Sequence, residues 1–163
     1  DYFPVPETLY PGPGARLMSL RDGMAKMSKS DPSDNARINL TDTADMIAGK
    51  IKKAKSDADV LPEAPEGLED RPEAKNLVGI YAALSGQSVA EVLAEFGGKG
   101  FGAFKPALAE VVVDKMSPVS ERLRALLKDP AEIDRALRIG VEKARAVAEP
   151  VVKDVKKIVW LWG

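Results

Sequence analysis

Residues 15–32, Ala15-Arg16-Leu17-Met18-Ser19-Leu20-Arg21-Asp22-Gly23-Met24-Ala25-Lys26-Met27-Ser28-Lys29-Ser30-Asp31-Pro32, join a largely apolar run to a short polar loop holding two lysines and two hydroxyls. The apolar part, Ala15 to Leu20, is bounded by Gly12-Pro13-Gly14, and this pattern predicts a short, mostly buried strand. Gly23 adds backbone freedom before the loop, and Asp31-Pro32 stops any helix after it. Lysine ammonium groups at 26 and 29 can converge on a polyphosphate, with the Ser28 and Ser30 hydroxyls supplying further hydrogen bonds. An exposed charged turn is the ordinary alternative, since most charge clusters are solvated surface. A lysine loop anchored on a strand favours a nucleotide-binding element.

The pentapeptide Lys26-Met27-Ser28-Lys29-Ser30 behind Ala15–Leu20 resembles the second nucleotide-binding signature of the class I aminoacyl-tRNA synthetases, in its tryptophanyl form. The resemblance continues in order through Asp31, Lys50-Ile51-Lys52-Lys53-Ala54, Lys55-Ser56-Asp57, Ser85-Gly86-Gln87-Ser88 and Glu142-Lys143-Ala144-Arg145-Ala146. It implies a mainly α chain: residues 1–40 as the C-terminal remnant of a Rossmann-like α/β nucleotide-binding domain, and residues 41–163 as an α-helical, anticodon-binding region. The family's last helix packs back on the catalytic domain. The family's first, histidine-containing signature has no counterpart in a sequence with no histidine, so the chain is expected to be a C-terminal part, inactive alone.

The resemblance further implies that the complete protein activates tryptophan with ATP, giving tryptophanyl-adenylate and pyrophosphate, and then charges tRNA(Trp). Lys26 and Lys29 take the catalytic role by similarity, and Leu17, Lys26, Met27, Ser28, Lys29 and Ser30 form the ATP-binding set. Mg2+ accompanies ATP on its phosphates, no protein metal site is expected, and the complete enzyme is expected to be a homodimer in the cytoplasm. The alternative is a non-catalytic tRNA-binding fragment or a synthetase-like paralogue.

Composition sets the outer bounds. The 163 residues suit one or two small domains, with 45% hydrophobic and 30% charged side chains. A formal net charge of −1 excludes a global basic field, so any RNA contact rests on local patches. The absence of cysteine removes disulfides, thiolate metal sites and thiol nucleophiles. No stretch has the length and apolarity of a membrane span, so no membrane partner is expected.

Downstream of a boundary near Asn39-Leu40-Thr41 the pattern turns helical. Thr41 or Asp42 can cap a helix with Ala44, Ile47, Ala48, Ile51 and Ala54 at helical spacing, leaving Lys50, Lys52, Lys53 and Lys55 on other faces. An ordinary solvated lysine face is favoured there over RNA contact. Residues 60–72, rich in proline and acid, read as a solvated loop. Pro72 opens a second helix with a Leu77, Ile80, Tyr81, Leu84 stripe and Gly86 as its cap. Ser88 and Glu91 have capping-box spacing ahead of Val89, Val92, Leu93 and Phe96, with Gly97-Gly98 as the stop.

Lys99-Gly100-Phe101-Gly102 reads as a flexible link, and Phe101 is expected to plug a neighbouring core in preference to stacking on a base. A long helix is predicted from Pro106 through Val111, Val112 and Met116, with Pro118 either kinking it or opening the next, and Leu123, Leu126 and Leu127 continuing the stripe. After Asp129-Pro130 a helix carries Ile133, Leu137 and Val141 on one side and Arg135, Arg138, Lys143 and Arg145 among its polar positions. Those four are the tRNA-binding candidates, with ion pairing to Glu132, Asp134 and Glu142 an equal reading. Pro150 interrupts the pattern, which resumes at Val151, Val155, Ile158 and Val159 toward Trp160 and Trp162, read as packing residues.

Overall fold

The computed structural model describes residues 2–9 and 16–159; Gly12-Pro13-Gly14, Ala15, Trp160 and Trp162 lie outside them. Among the described residues five α-helices follow the loop region: α1 (Ala44–Lys52), α2 (Pro72–Ser85), α3 (Val89–Phe96), α4 (Phe101–Leu127) and α5 (Pro130–Ile158). The chain divides into two compact units, Asp1–Ser120 and Glu121–Gly163.

Mainly α is the observed class. The expected strand does not form, because among the described residues its only sheet-like pairing is a single antiparallel bridge between Met18 and Lys26. Turn residues Asp22 and Gly23 fold the chain back after too few residues for a longer ladder. The neighbour on the other edge is a helix that offers one side-chain amide.

Local chemistry sets the helix ends. The Thr43 hydroxyl, not Thr41 or Asp42, caps α1 by accepting from the Met46 amide at 3.3 Å. Asp42 is instead buried and engaged elsewhere. Pro72 opens α2, and Gly86 closes it at φ +78°, a left-handed conformation that glycine adopts without steric cost. The capping box of α3 forms as expected: Glu91 accepts from the Ser88 amide at 2.7 Å, and the Glu91 amide donates back to the Ser88 hydroxyl at 3.2 Å.

The core of the first unit sits where α1, α2, α3 and the first half of α4 meet. Tyr81, Phe96 and Phe104 form an aromatic triangle with ring centroids 5.1–5.7 Å apart. Phe101 joins it edge-on at 6.5 Å from Phe104 and is only 8% exposed. Residues 101 and 102 therefore belong to a helix and not to a flexible link, and the core reading of Phe101 holds. Helix α4 starts five residues before Pro106 and runs on through both Pro106 and Pro118; a proline removes one backbone donor, which continuous packing can outweigh. Lys105 on α4 donates to the Ala54 carbonyl just past the end of α1, at 2.8 Å, and burial pushes its ammonium below the usual lysine range.

The loop from 55 to 71 is ordered by Arg71, whose guanidinium spans the Asp57 carboxylate and donates to the Val60 carbonyl at 2.7 Å. Leu61 and Leu68 are buried in it, the latter in a 3-10 turn over Pro65–Leu68, so this segment is part of the core and not only a solvated connector. Helix α5, capped by Asp129, continues through Pro150 to Ile158.

Candidate functional site

The lysine loop starts from a short main-chain clasp. Ser19 donates to the Ala25 carbonyl at 2.8 Å and Met27 to the Leu17 carbonyl at 3.0 Å, which sets Lys26 opposite Met18. Beyond the clasp the tip is a turn: the Asp31 amide donates to the Ser28 carbonyl at 3.3 Å, and the Ser30 amide to the Ser28 hydroxyl at 3.2 Å. Ser28 thus shapes the turn with its own side chain. Met27 is half-buried against the core, whereas Lys26, Ser28, Lys29 and Ser30 are exposed, as is Leu17 at 36%. None of the ion pairs among the described residues involves Lys26 or Lys29. Both ammonium groups are therefore available to an anion.

The upstream stalk is tied to α1 and α2. Leu20, 2% exposed, donates to the Ala36 carbonyl at 2.9 Å and accepts from the Lys55 amide at 2.7 Å. Arg21 reaches the Lys53 carbonyl at the end of α1, at 2.7 Å. The Asn76 amide in α2 grips Met18 on both sides: the Met18 N–H donates to Oδ1 at 3.0 Å and Nδ2 donates to the Met18 carbonyl at 2.9 Å. Gly23 lies against the start of α2 so closely that a Cβ there would come within 2.6 Å of Pro72 C and Glu73 N. Lys55 pairs with Glu73 at 2.7 Å, and its hydrogen bond holds the Glu73 carboxyl below the usual carboxylate range. A cleft of about 430 Å³ opens between this stalk and α2, lined by Leu17, Met18, Gly23, Lys75 and Asn76 among others.

The downstream stalk is held by a charged cluster. Arg37 donates to the Asp31 carbonyl at 2.9 Å and to the Asn39 side chain at 3.1 Å, and pairs with Asp34 at 3.2 Å. Lys50 on α1 reaches Asp34 at 2.7 Å and Asp42 at 2.6 Å. Asp42 also accepts from the Asn39 amide at 2.8 Å. The Lys50 and Asp42 side chains are 6% and 1% exposed. Burial pushes the Lys50 ammonium down, but its hydrogen bonds to Asp34 and Asp42 outweigh this and leave it above the usual lysine range. The Lys50 hydrogen bond likewise holds Asp34 below the usual carboxylate range. Lys50 is thus no part of a solvated basic face. The acids that bury it come from residues eight and more positions upstream, which α1's own periodicity cannot register.

Arg135, Arg138, Lys143 and Arg145 all lie on α5 in the second unit and are exposed. At about 100° per residue they occupy roughly half the circumference, opposite Ile133, Leu137 and Val141. Arg135 pairs with Glu132 and Arg145 with Glu149 at 3.9 Å, so part of this face is engaged within the helix, whereas Arg138 and Lys143 have no ion pair among the described residues.

The sequence reading missed Asn76, Arg37 and the Asp34–Lys50–Asp42 cluster. An asparagine in mid-helix is a weak signal that could have flagged the first, because asparagine is a poor helix former unless its amide is used. Among the described residues no group of three acidic side chains is gathered to hold a metal ion, and no single helix is long and apolar enough to cross a membrane.

The family model described as tRNA synthetases class I (W and Y) matches residues 1–116. A tryptophan–tRNA ligase of Caulobacter vibrioides is 62% identical over 162 residues, 99% of this chain and 47% of that protein. One from Agrobacterium fabrum is 57% identical over 97% of this chain and 45% of its own length. A tryptophanyl-tRNA synthetase from Mycoplasma pneumoniae shares the fold at TM-score 0.73 with 24% identity, over 91% of this chain and 46% of its own. One from Campylobacter jejuni, complexed with ADP and tryptophan, matches at TM-score 0.59 and 25% identity, over 90% and 44%. The chain spans about half the length of the relatives it matches. With the family model covering most of its residues, the chain belongs to the class I tRNA synthetases of the W and Y family.

Proposed function

We propose that this chain is the lysine-loop part of a tryptophan–tRNA ligase. Residues 1–40 form the end of a Rossmann-like nucleotide-binding domain, and the helical remainder approaches the tRNA anticodon. The carrying observation is the exposed pair Lys26 and Lys29, without ion-pair partners among the described residues, on a turn braced at both stalks. The relatedness to tryptophan–tRNA ligases along nearly the whole chain, and the ADP and tryptophan in the Campylobacter jejuni structure, support the substrates.

In the first step the tryptophan carboxylate oxygen attacks the α-phosphorus of ATP. The bond to the bridging oxygen breaks, and pyrophosphate leaves with the electron pair. Negative charge gathers on the leaving group, where two ammonium groups stabilise the transition state more than the bound substrate. The main chain of Leu17 faces the adenine and Met27 seats the nucleotide-binding loop on the core, while Ser28 sets the turn and Ser30 reaches a phosphate oxygen. Mg2+ arrives on the triphosphate as part of the substrate. In the second step a terminal ribose hydroxyl of tRNA(Trp) attacks the acyl carbon of the adenylate, the bond to the phosphate oxygen breaks and AMP leaves, with Arg135, Arg138, Lys143 and Arg145 meeting RNA phosphates. The complete enzyme works as a cytoplasmic homodimer, and this part alone is inactive.

The test is amino-acid-dependent ATP–pyrophosphate exchange by this chain joined to its upstream half. Lys29→Ala should lower the exchange rate by roughly 10²–10³ with little change in the tryptophan KM, the loss expected for one preorganised donor to a developing anion. An unchanged rate would overturn the role of the loop. Exchange driven by tyrosine and not tryptophan would overturn the amino acid.

A further inference from the structure

We propose that Asn76 is the positioning residue that fixes the lysine loop in register, an inference that rests on the function proposed above. Its side chain is largely buried in the middle of α2, and both ends of its amide are spent 58 residues away on the main chain of Met18. A weaker third contact runs from Nδ2 to the Ser19 carbonyl at 3.4 Å. Taking both the N–H and the carbonyl of one residue is what a neighbouring strand does at a hydrogen-bonded antiparallel pair. The amide therefore replaces a missing strand.

The opposite edge of the same segment carries the loop. Leu17 accepts from Met27 and Ser19 donates to Ala25, so residues 17–19 lie between the α2 amide and the arm that bears Lys26. Residues alternate edges along an extended segment, which is why Met18 faces α2 while Leu17 and Ser19 face residues 25–27. The two layers move together. Whatever fixes Met18 fixes the arm, and with it the start of the turn that holds Lys29. Asn76 contacts neither lysine, so its effect on the reaction passes through main-chain placement, and a displacement of about 1 Å at a reacting centre can cost about 10²-fold in rate.

The experiment uses the whole protein, this chain with its upstream half, assayed by ATP–pyrophosphate exchange below the melting temperature of every variant. Asn76→Ala should lower kcat by about 10²-fold while the tryptophan KM stays within about two-fold. The double variant Asn76→Ala/Lys29→Ala should fall short of the product of the two single losses, because part of the Asn76 loss acts through Lys29 and only the part that acts through Lys26 remains to be added. Leu93→Ala, a core truncation in α3, should lower the melting temperature without lowering kcat. If Asn76→Ala does not fold, Asn76→Asp keeps the acceptor for the Met18 N–H, sets a carboxylate against the Met18 carbonyl, and serves in the same cycle with the same expected sign. Multiplying losses in the double variant, or a normal kcat in the Asn76 variants beside a slow Lys29→Ala, would overturn the positioning role and leave the proposed function standing. A normal rate in Lys29→Ala would remove the proposed role of the lysine loop and this inference together.

Discussion

Replacing Lys50 by methionine tests whether the cluster under the downstream stalk is held by charge. Methionine fills much of the same space, so the change removes an ammonium without opening a large void. Asp42, whose side chain is 1% exposed, loses the partner at 2.6 Å and stays buried. Breaking a buried pair from one side typically costs about 3–5 kcal/mol. Two features put this case at the lower end. Asp42 keeps hydrogen bonds from the Asn39 amide at 2.8 Å and side chain at 3.4 Å, and Asp34, with its side chain 51% exposed, can be hydrated once freed. A loss of about 3 kcal/mol is expected, and with a urea slope of about 2 kcal/mol per molar the midpoint should fall by about 1.5 M. In an Asp42→Asn background no buried charge is stranded, so the same Lys50→Met change should cost much less, only its pair with the exposed Asp34 being lost. Equal losses in the two backgrounds, or a midpoint shift too small to measure, would refute the view that a buried charge pair holds this region.

Gly23→Ala places a methyl group 2.6 Å from two main-chain atoms at the start of α2, which cannot yield as a flexible side chain would. Overpacking of this kind costs about 1–3 kcal/mol, a fall of roughly 3–10 °C in melting temperature by calorimetry, and an unchanged melting temperature would mean the turn is not seated on the helix. Acid should unfold the first unit through its paired carboxylates. Arg71 holds Asp57 below the ordinary 3.8, and Lys55 holds Glu73 below the ordinary 4.5. Both are depressed in the folded state, so their contribution is complete above the unfolded values and is lost as pH falls through the folded ones. Urea midpoints should thus be flat down to about pH 5 and decline below it, and the decline should be shallower in Lys55→Met; an identical slope in that variant would refute the assignment to Glu73.

Much of the helical part was legible because its signals are local. Pro72 and Gly86 bracket α2, and the Ser88–Glu91 pair opens α3, since a cap is written within four residues of the bond it makes. The apolar stripes of α2 and α3 likewise name the residues that form the core. The misread places depend on partners far along the chain. Lys50 looks like one of four surface lysines until Asp34 and Asp42 are folded beside it. The run through Leu20 has the composition of a strand but meets a side-chain amide where a second strand would be. Helix α4 begins before Pro106 because the Phe101 ring finds the aromatic cluster of Tyr81, Phe96 and Phe104, and that contact outweighs two glycines. At the loop, residue types gave the candidate anion-binding groups, while the braces that position them come from α1 and α2.

The hydrogen bond from Leu20 to Ala36 closes the chain on itself, so residues 21–35 form an excursion whose ends already meet in the core. Lengthening such a closed segment is cheap in chain entropy, at only about 0.6 kcal/mol for each doubling. Insertions or recoding at the tip, from Ser28 to Ser30, should therefore leave thermal stability almost untouched. A screen that sorts variants by solubility or melting temperature would pass those with an altered tip as sound, and the loss proposed for the lysine loop would surface only in an exchange assay.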